Sequence, residues 1–128
     1  MKALHVLILA AALAGCAPAV AMPDPSEAIG IAPIQIDQVE VEIRESFPPQ
    51  VAAHIIGTIG DGCSYLHAVK QTRDGNTITL SIERARRSAD ICTLIARLYD
   101  ETIRLEGEFP AGNYTLIVND VETAFRID

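Results

Sequence analysis

Hydrophobic positions fall into three regimes along the chain. Val6 to Leu13 form an unbroken apolar run, and residues 17 to 33 carry apolar side chains without a period, interrupted by Pro18, Pro23, Pro25 and Pro33. From about Gln35 onward apolar and polar residues alternate with period two, which predicts strands with one buried face. Val39, Val41 and Ile43 against Glu40, Glu42 and Arg44 give a first strand, ended by Pro48-Pro49. Val51 to Ile59 give a second, with Val51, Ala53, Ile55, Gly57 and Ile59 on one face and His54 and Thr58 on the other. Gly60-Asp61-Gly62 is a turn, residues 63 to 72 a third strand, and Arg73-Asp74-Gly75-Asn76 a hairpin connection. Ile78, Leu80 and Ile82 alternate with Thr77, Thr79, Ser81 and Glu83 in a half-buried fourth strand.

Beyond Glu83 the pattern is less regular. Arg84 to Asp90 read as a polar loop. Residues 92 to 106 read as extended, with Leu94, Ala96 and Leu98 on one parity and Ile103 and Leu105 on the other, which predicts a bulge near Asp100-Glu101 or two separate strands. A helix over 90 to 99 competes, because Ile91, Leu94, Ile95 and Leu98 also stand at helical spacing. Tyr114, Leu116 and Val118, a turn at Asn119-Asp120, and Thr123, Phe125 and Ile127 complete about seven strands in one domain over residues 35–128. The fold class expected is all-β, an antiparallel sandwich.

The first regime has a different purpose. Lys2 and the free amino terminus precede an apolar run too short to span ~30 Å of hydrocarbon as a helix, so the segment reads as an export signal. It closes in Leu13-Ala14-Gly15-Cys16, which resembles the lipobox of bacterial lipoproteins. That resemblance implies removal of residues 1–15, attachment of diacylglycerol to the Cys16 sulfur, and an amino group on Cys16 open to acylation. Two or three chains anchor stably where one holds only marginally. The implied location is outside the cell, on the outer face of the cell membrane or, since Ala17 rather than Asp follows the cysteine, at an outer membrane. Residues 16–34 then read as a disordered, proline-rich stalk that lifts the domain clear of the headgroups.

Charge narrows the partners. Once Lys2 is removed, nine basic and seventeen acidic residues leave the mature chain at −8. Such a balance argues against nucleic acid or anionic lipid as a partner, since both call for clustered Lys and Arg. The membrane, reached through the acyl chains of Cys16, is the one partner the residues specify; an envelope protein or a glycan is a further expectation.

Cys63 and Cys92 remain after Cys16 takes lipid, and an even pair in an exported domain reads as a disulfide. Gly112-x-Tyr114-x-Leu116 at the start of a penultimate strand resembles the tyrosine corner of immunoglobulin-like sandwiches, in which the hydroxyl bonds to backbone upstream. Leu116 replaces the cysteine of antibody domains and tryptophan is absent, so the resemblance is to the wider bacterial and fibronectin-type immunoglobulin-like modules. Gly60-Asp61-Gly62-Cys63, Cys92-Thr93 and Pro110-Ala111-Gly112-x-Tyr114 are also similar to small exported bacterial proteins of uncharacterised function, which supports the disulfide and the fold and implies no activity.

Catalytic chemistry finds little support. His54 and His67 sit singly in strand patterns, no serine stands in a nucleophile-elbow motif, and carboxylates are scattered along strand faces. No catalytic residue, metal site or cofactor is expected, and Arg84, Arg86 and Arg87 read as a solvated stretch. The expected function is a non-enzymatic binding or structural module on a lipid anchor. The alternative is an inhibitor or accessory subunit of a secreted or envelope enzyme, working through an ordered loop, with Arg84 to Ile91 the candidate.

Overall fold

The computed structural model describes residues 29–88 and 91–128; the expected export signal, the expected lipobox with Cys16, and most of the expected stalk lie outside them. Eight strands run in order: β1 (Ile29–Pro33), β2 (Gln35–Arg44), β3 (Gln50–Gly60), β4 (Ser64–Asp74), β5 (Thr77–Arg87), β6 (Arg97–Arg104), β7 (Gly112–Val118) and β8 (Val121–Ile127). They form the β-sandwich that the alternation predicts, with a three-stranded sheet ordered β2-β3-β6 and a five-stranded sheet built around β5. Val51, Ala53 and Ile55 of β3 meet Ile78, Leu80 and Ile82 of β5 and Leu116 and Val118 of β7 in the core. The apolar phase of each strand is what places these residues between the sheets.

β5 organises the larger sheet. It pairs antiparallel with β4 along one edge, while the other edge is shared: β7 runs parallel to Thr77–Leu80, and β1 runs antiparallel to Glu83–Arg87. The junction between these two partners falls at Ser81 and Ile82, where a backbone ladder would be interrupted. Asn119 closes it. Its φ of 52° turns the β7–β8 hairpin, and its amide sits in the gap: Oδ1 accepts from the Ile82 N–H at 2.9 Å, while Nδ2 donates to the carbonyls of Ile34 and Ile82 at 2.9 and 3.1 Å. Asparagine suits both tasks, since its short side chain tolerates positive φ and carries a donor and an acceptor.

Several sequence expectations change here. Ile29–Pro33, assigned to the stalk, are a strand on β5; proline-rich composition hid them, and Pro33 is admissible because it is the terminal residue of a sheet-edge segment. Arg84–Arg87 are not loop but the last residues of β5, with Ala85 fully buried. Residues 91–96 are neither strand nor helix, and β6 begins only at Arg97. Register shifts occur at Ile36/Gln38, Thr58/Gly60 and Leu66/Ala68, not at Asp100-Glu101. Finally, the β5–β7 pair is parallel in a sandwich expected to be antiparallel throughout.

The two ends of the sandwich differ. At one, beside the β2–β3 connection, Phe109, Tyr114 and Phe125 cluster, with Phe109 and Tyr114 edge-to-face at 5.4 Å and Tyr114 stacked on Phe125 at 5.2 Å. The Tyr114 hydroxyl donates to the Pro110 carbonyl at 2.6 Å, four residues upstream. Arg73 covers the cluster, its guanidinium carbon 4.8 Å from the Phe109 ring centre. At the other end stand Gly60, the disulfide and the segment before β6.

Candidate functional site at the disulfide end

The turn after β3 sets this end. Gly60-Asp61-Gly62-Cys63 leads into β4, and the Asp61 carboxylate folds back to accept from the Cys63 N–H at 3.2 Å and from the Ser64 hydroxyl at 3.0 Å. Its second oxygen takes both Nε and Nη2 of Arg86, at 2.9 and 2.8 Å. The Arg86 guanidinium, and after it the Ser64 and Cys63 bonds, hold the Asp61 carboxyl below its ordinary range, and Arg86 is correspondingly raised. Arg84 donates to the Ser64 hydroxyl at 3.1 Å and Arg97 to the Ser64 carbonyl at 2.9 Å, so fully buried Ser64 has no unmet polar atom.

Cys63 and Cys92 are joined, with Cα atoms 5.5 Å apart. Next to the bond, the Gly62 N–H donates to the Thr93 carbonyl at 2.9 Å, and any Cβ on Gly62 would collide with the Thr93 hydroxyl. Arg86 Nη2 also lies 3.4 Å from the Cys92 sulfur. The Gly-Asp-Gly-Cys turn, the arginine stretch and the Cys-Thr pair, three separate signals in the sequence, are therefore parts of one cluster. What the sequence could not show is which arginine meets Asp61, since the two are twenty-five positions apart.

The cluster carries an apolar segment outward. Ile91, Leu94, Ile95 and Leu98 are 90, 95, 76 and 75% exposed. The root of the segment is covalently fixed at Cys92 while its large side chains face solvent. Arg87 and Arg97 flank it, both exposed, with the Arg87 guanidinium carbon 5.7 Å from the Tyr65 ring centre. An open cleft of about 760 Å³ lies where the chain passes from β1 to β2, lined by Ile34, Thr58, Gly60, Glu83, Arg84 and Asn119 among others, and by no residue of the Ile91–Leu98 segment.

His54 lies elsewhere, on the outer face of the three-stranded sheet between Glu40 and Thr102 in register. Its Nε2 is 2.7 Å from the Asp100 carboxylate, and that hydrogen bond, with the charges of Asp100, Glu40 and Glu42, raises its pKa against a desolvation that lowers it. It does not line the cleft, and His67 is exposed on β4 at the register shift. Among the described residues no group of three or more His, Cys, Asp or Glu side chains is placed to hold a metal ion.

Comparison with known proteins bears on the same region. The family model of the ORF11 β-sandwich domain matches residues 53–127, from β3 through β8 and across both cysteines. The chain belongs to that family. An uncharacterised 10.2 kDa protein in the HgiCIIM 5′ region of Herpetosiphon aurantiacus is 37% identical over 94 residues, which are 73% of this chain and all of the relative. A second uncharacterised 10.2 kDa protein of the same organism, in the HgiBIM 5′ region, is 37% identical over 82 residues, 64% of this chain and again the whole relative. No solved structure matches. Membership of the ORF11 β-sandwich family fixes the fold of the cluster's surroundings and leaves its chemistry to be argued from the residues.

Proposed function

We propose that the chain is an exported protein, held through acyl chains on Cys16 at the outer face of a cell membrane or at an outer membrane, and that its sandwich is a non-enzymatic binding module. The binding surface is the disulfide-rooted segment from Ile91 to Leu98, and its partner is a component of the same envelope. One observation carries this: four large aliphatic side chains are directed outward on a segment that a covalent bond holds in place. Burying any one of them would gain about 1.5–3 kcal/mol, so their exposure is costly in isolation and useful on contact. The alternative of an inhibitor or accessory subunit draws on the same segment, because a loop fixed at its root is what insertion into a partner's cleft requires; Arg84–Arg87, being strand, do not serve.

The test uses the mature chain, residues 16–128, carrying Cys16→Ser, added to isolated envelopes and sedimented. Co-sedimentation that Leu94→Asp with Ile95→Asp abolishes supports the segment as the binding surface; equal sedimentation of both forms, or of neither, overturns it. The anchor is tested separately by radiolabelled fatty acid in cells. Label should enter the unaltered chain and be absent from Cys16→Ser, and label persisting in the variant would refute the lipobox assignment.

A further inference from the structure

We infer that the Ile91–Leu98 segment is a second membrane contact: its apolar side chains enter the interface of the bilayer that carries the Cys16 anchor. The inference rests on the anchored binding module proposed above and names the partner of its binding surface as lipid.

Three observations point there. First, the tether joins the sandwich at this end. β1 begins at Ile29, whose register partner is Arg87, the last residue of β5 and only four positions before Ile91. Cys16 precedes Ile29 by thirteen residues, a reach of at most ~45 Å at ~3.5 Å each. The opposite end, at the β2–β3 connection, stands further off by the length of β3, eleven residues or ~35 Å at ~3.3 Å each. The tether therefore enters the sandwich at the end that bears the exposed aliphatic residues. Second, the charge around the segment suits headgroups although the whole chain is acidic. Arg87 and Arg97 flank it, against Asp90 next to Ile91 in the sequence, while Asp61 is occupied by Arg86 and Glu83 by Lys70 at 3.5 Å. Third, the composition fits an interface rather than a span. Irregular backbone is not tolerated in the hydrocarbon core, so only the side chains enter, to a depth of ~5–10 Å. The disulfide keeps Cys92 and its neighbours from being drawn further.

The chain has no tryptophan, so Leu94→Trp makes a sole fluorescent reporter at the segment and Phe47→Trp one at the far end, where Phe47 is fully exposed. Each acylated mature chain is reconstituted in vesicles of phosphatidylethanolamine and phosphatidylglycerol, with acylation verified by mass. We expect Leu94→Trp to shift to the blue and to be quenched by lipids brominated near the headgroup end of the acyl chain, with neither effect in Phe47→Trp. As a second measurement, mature Cys16→Ser chain should partition into the same vesicles, weakened about tenfold by each of Leu94→Ser and Ile95→Ser. Unshifted, unquenched emission from acylated Leu94→Trp overturns the lipid contact while leaving the anchor. Emission that shifts only in native envelopes assigns the segment to a protein or glycan and likewise overturns it. Absence of the acyl mass overturns the anchor, and this inference with it.

Discussion

The two ends of the sandwich use apolar side chains in opposite ways. At the far end Phe109, Tyr114 and Phe125 pack inward on each other, and Arg73 closes over them with hydrogen bonds to the carbonyls of Gly75 and Glu108. At the disulfide end Ile91, Leu94, Ile95 and Leu98 point outward, and order comes instead from a covalent bond, an Asp61–Arg86 pair and a backbone bond to Thr93. A domain of this size has few aliphatic residues to spare. Where packing secures an end, no disulfide is needed; where the aliphatic residues are given to the surface, the disulfide and its polar cluster hold the segment that packing does not.

If that division is right, the ends should fail by different routes. Phe109→Ala removes a buried ring from the far end and should lower the unfolding free energy by about 3–5 kcal/mol, read from urea denaturation, whether or not reductant is present. A loss below about 1 kcal/mol would mean that the aromatic cluster is not what closes that end. Replacing both Cys63 and Cys92 by serine should cost about 3–4 kcal/mol, the chain-entropy value for a separation of 29 residues. Reductant should lower the unaltered protein by the same amount and leave the double variant where it is.

Legibility in the sequence followed the same division. Strands with an alternating apolar face, such as Val51–Ile59 and Thr77–Glu83, were readable because burial on one side imposes period two. The disulfide was readable because an even pair of cysteines remained, and the Tyr114 corner because its local spacing is short. Phe109 was not, since a single aromatic between Gly107 and Pro110 has no periodic neighbours to mark it as core. Arg84–Arg87 escaped because the buried positions of β5 step from Ile82 to Ala85 and so break the period of two, leaving a strand that looks polar. Ile91–Leu98 misled in the other direction: apolar residues at helical and strand spacings suggested regular structure, whereas the segment has neither before Arg97. Asn119 carried no signal beyond its turn, because its bonding partners Ile34 and Ile82 are 85 and 37 positions away.

Smaller effects sharpen the comparison. Tyr114→Phe keeps the ring stack and removes one hydrogen bond to Pro110, and should cost about 1 kcal/mol in the same denaturation experiment. At the disulfide end the corresponding polar contact is titratable. Asp61 has its pKa depressed by Arg86, so its contribution to stability is fully present above its ordinary value of 3.8 and is lost as pH falls through the lowered folded value. Asp61→Asn should therefore flatten the acid limb of the stability curve relative to the unaltered chain, and identical acid limbs would show that the pair contributes nothing.

The smallest expected effect discriminates most sharply. Leu94→Ser and Ile95→Ser should each change stability by less than about 0.5 kcal/mol, because the side chains they remove are already in water when the protein folds. Aliphatic residues in a core cost several times that when truncated. A loss of about 2 kcal/mol or more at either position, by thermal or urea unfolding of the mature Cys16→Ser chain, would place these residues against the domain and remove the contrast between the ends. A negligible loss of stability combined with a large loss of envelope binding would separate the two uses of apolar side chains in one small protein: at Phe109 and its neighbours they hold the fold, and at Ile91–Leu98 they serve the surface it is held against.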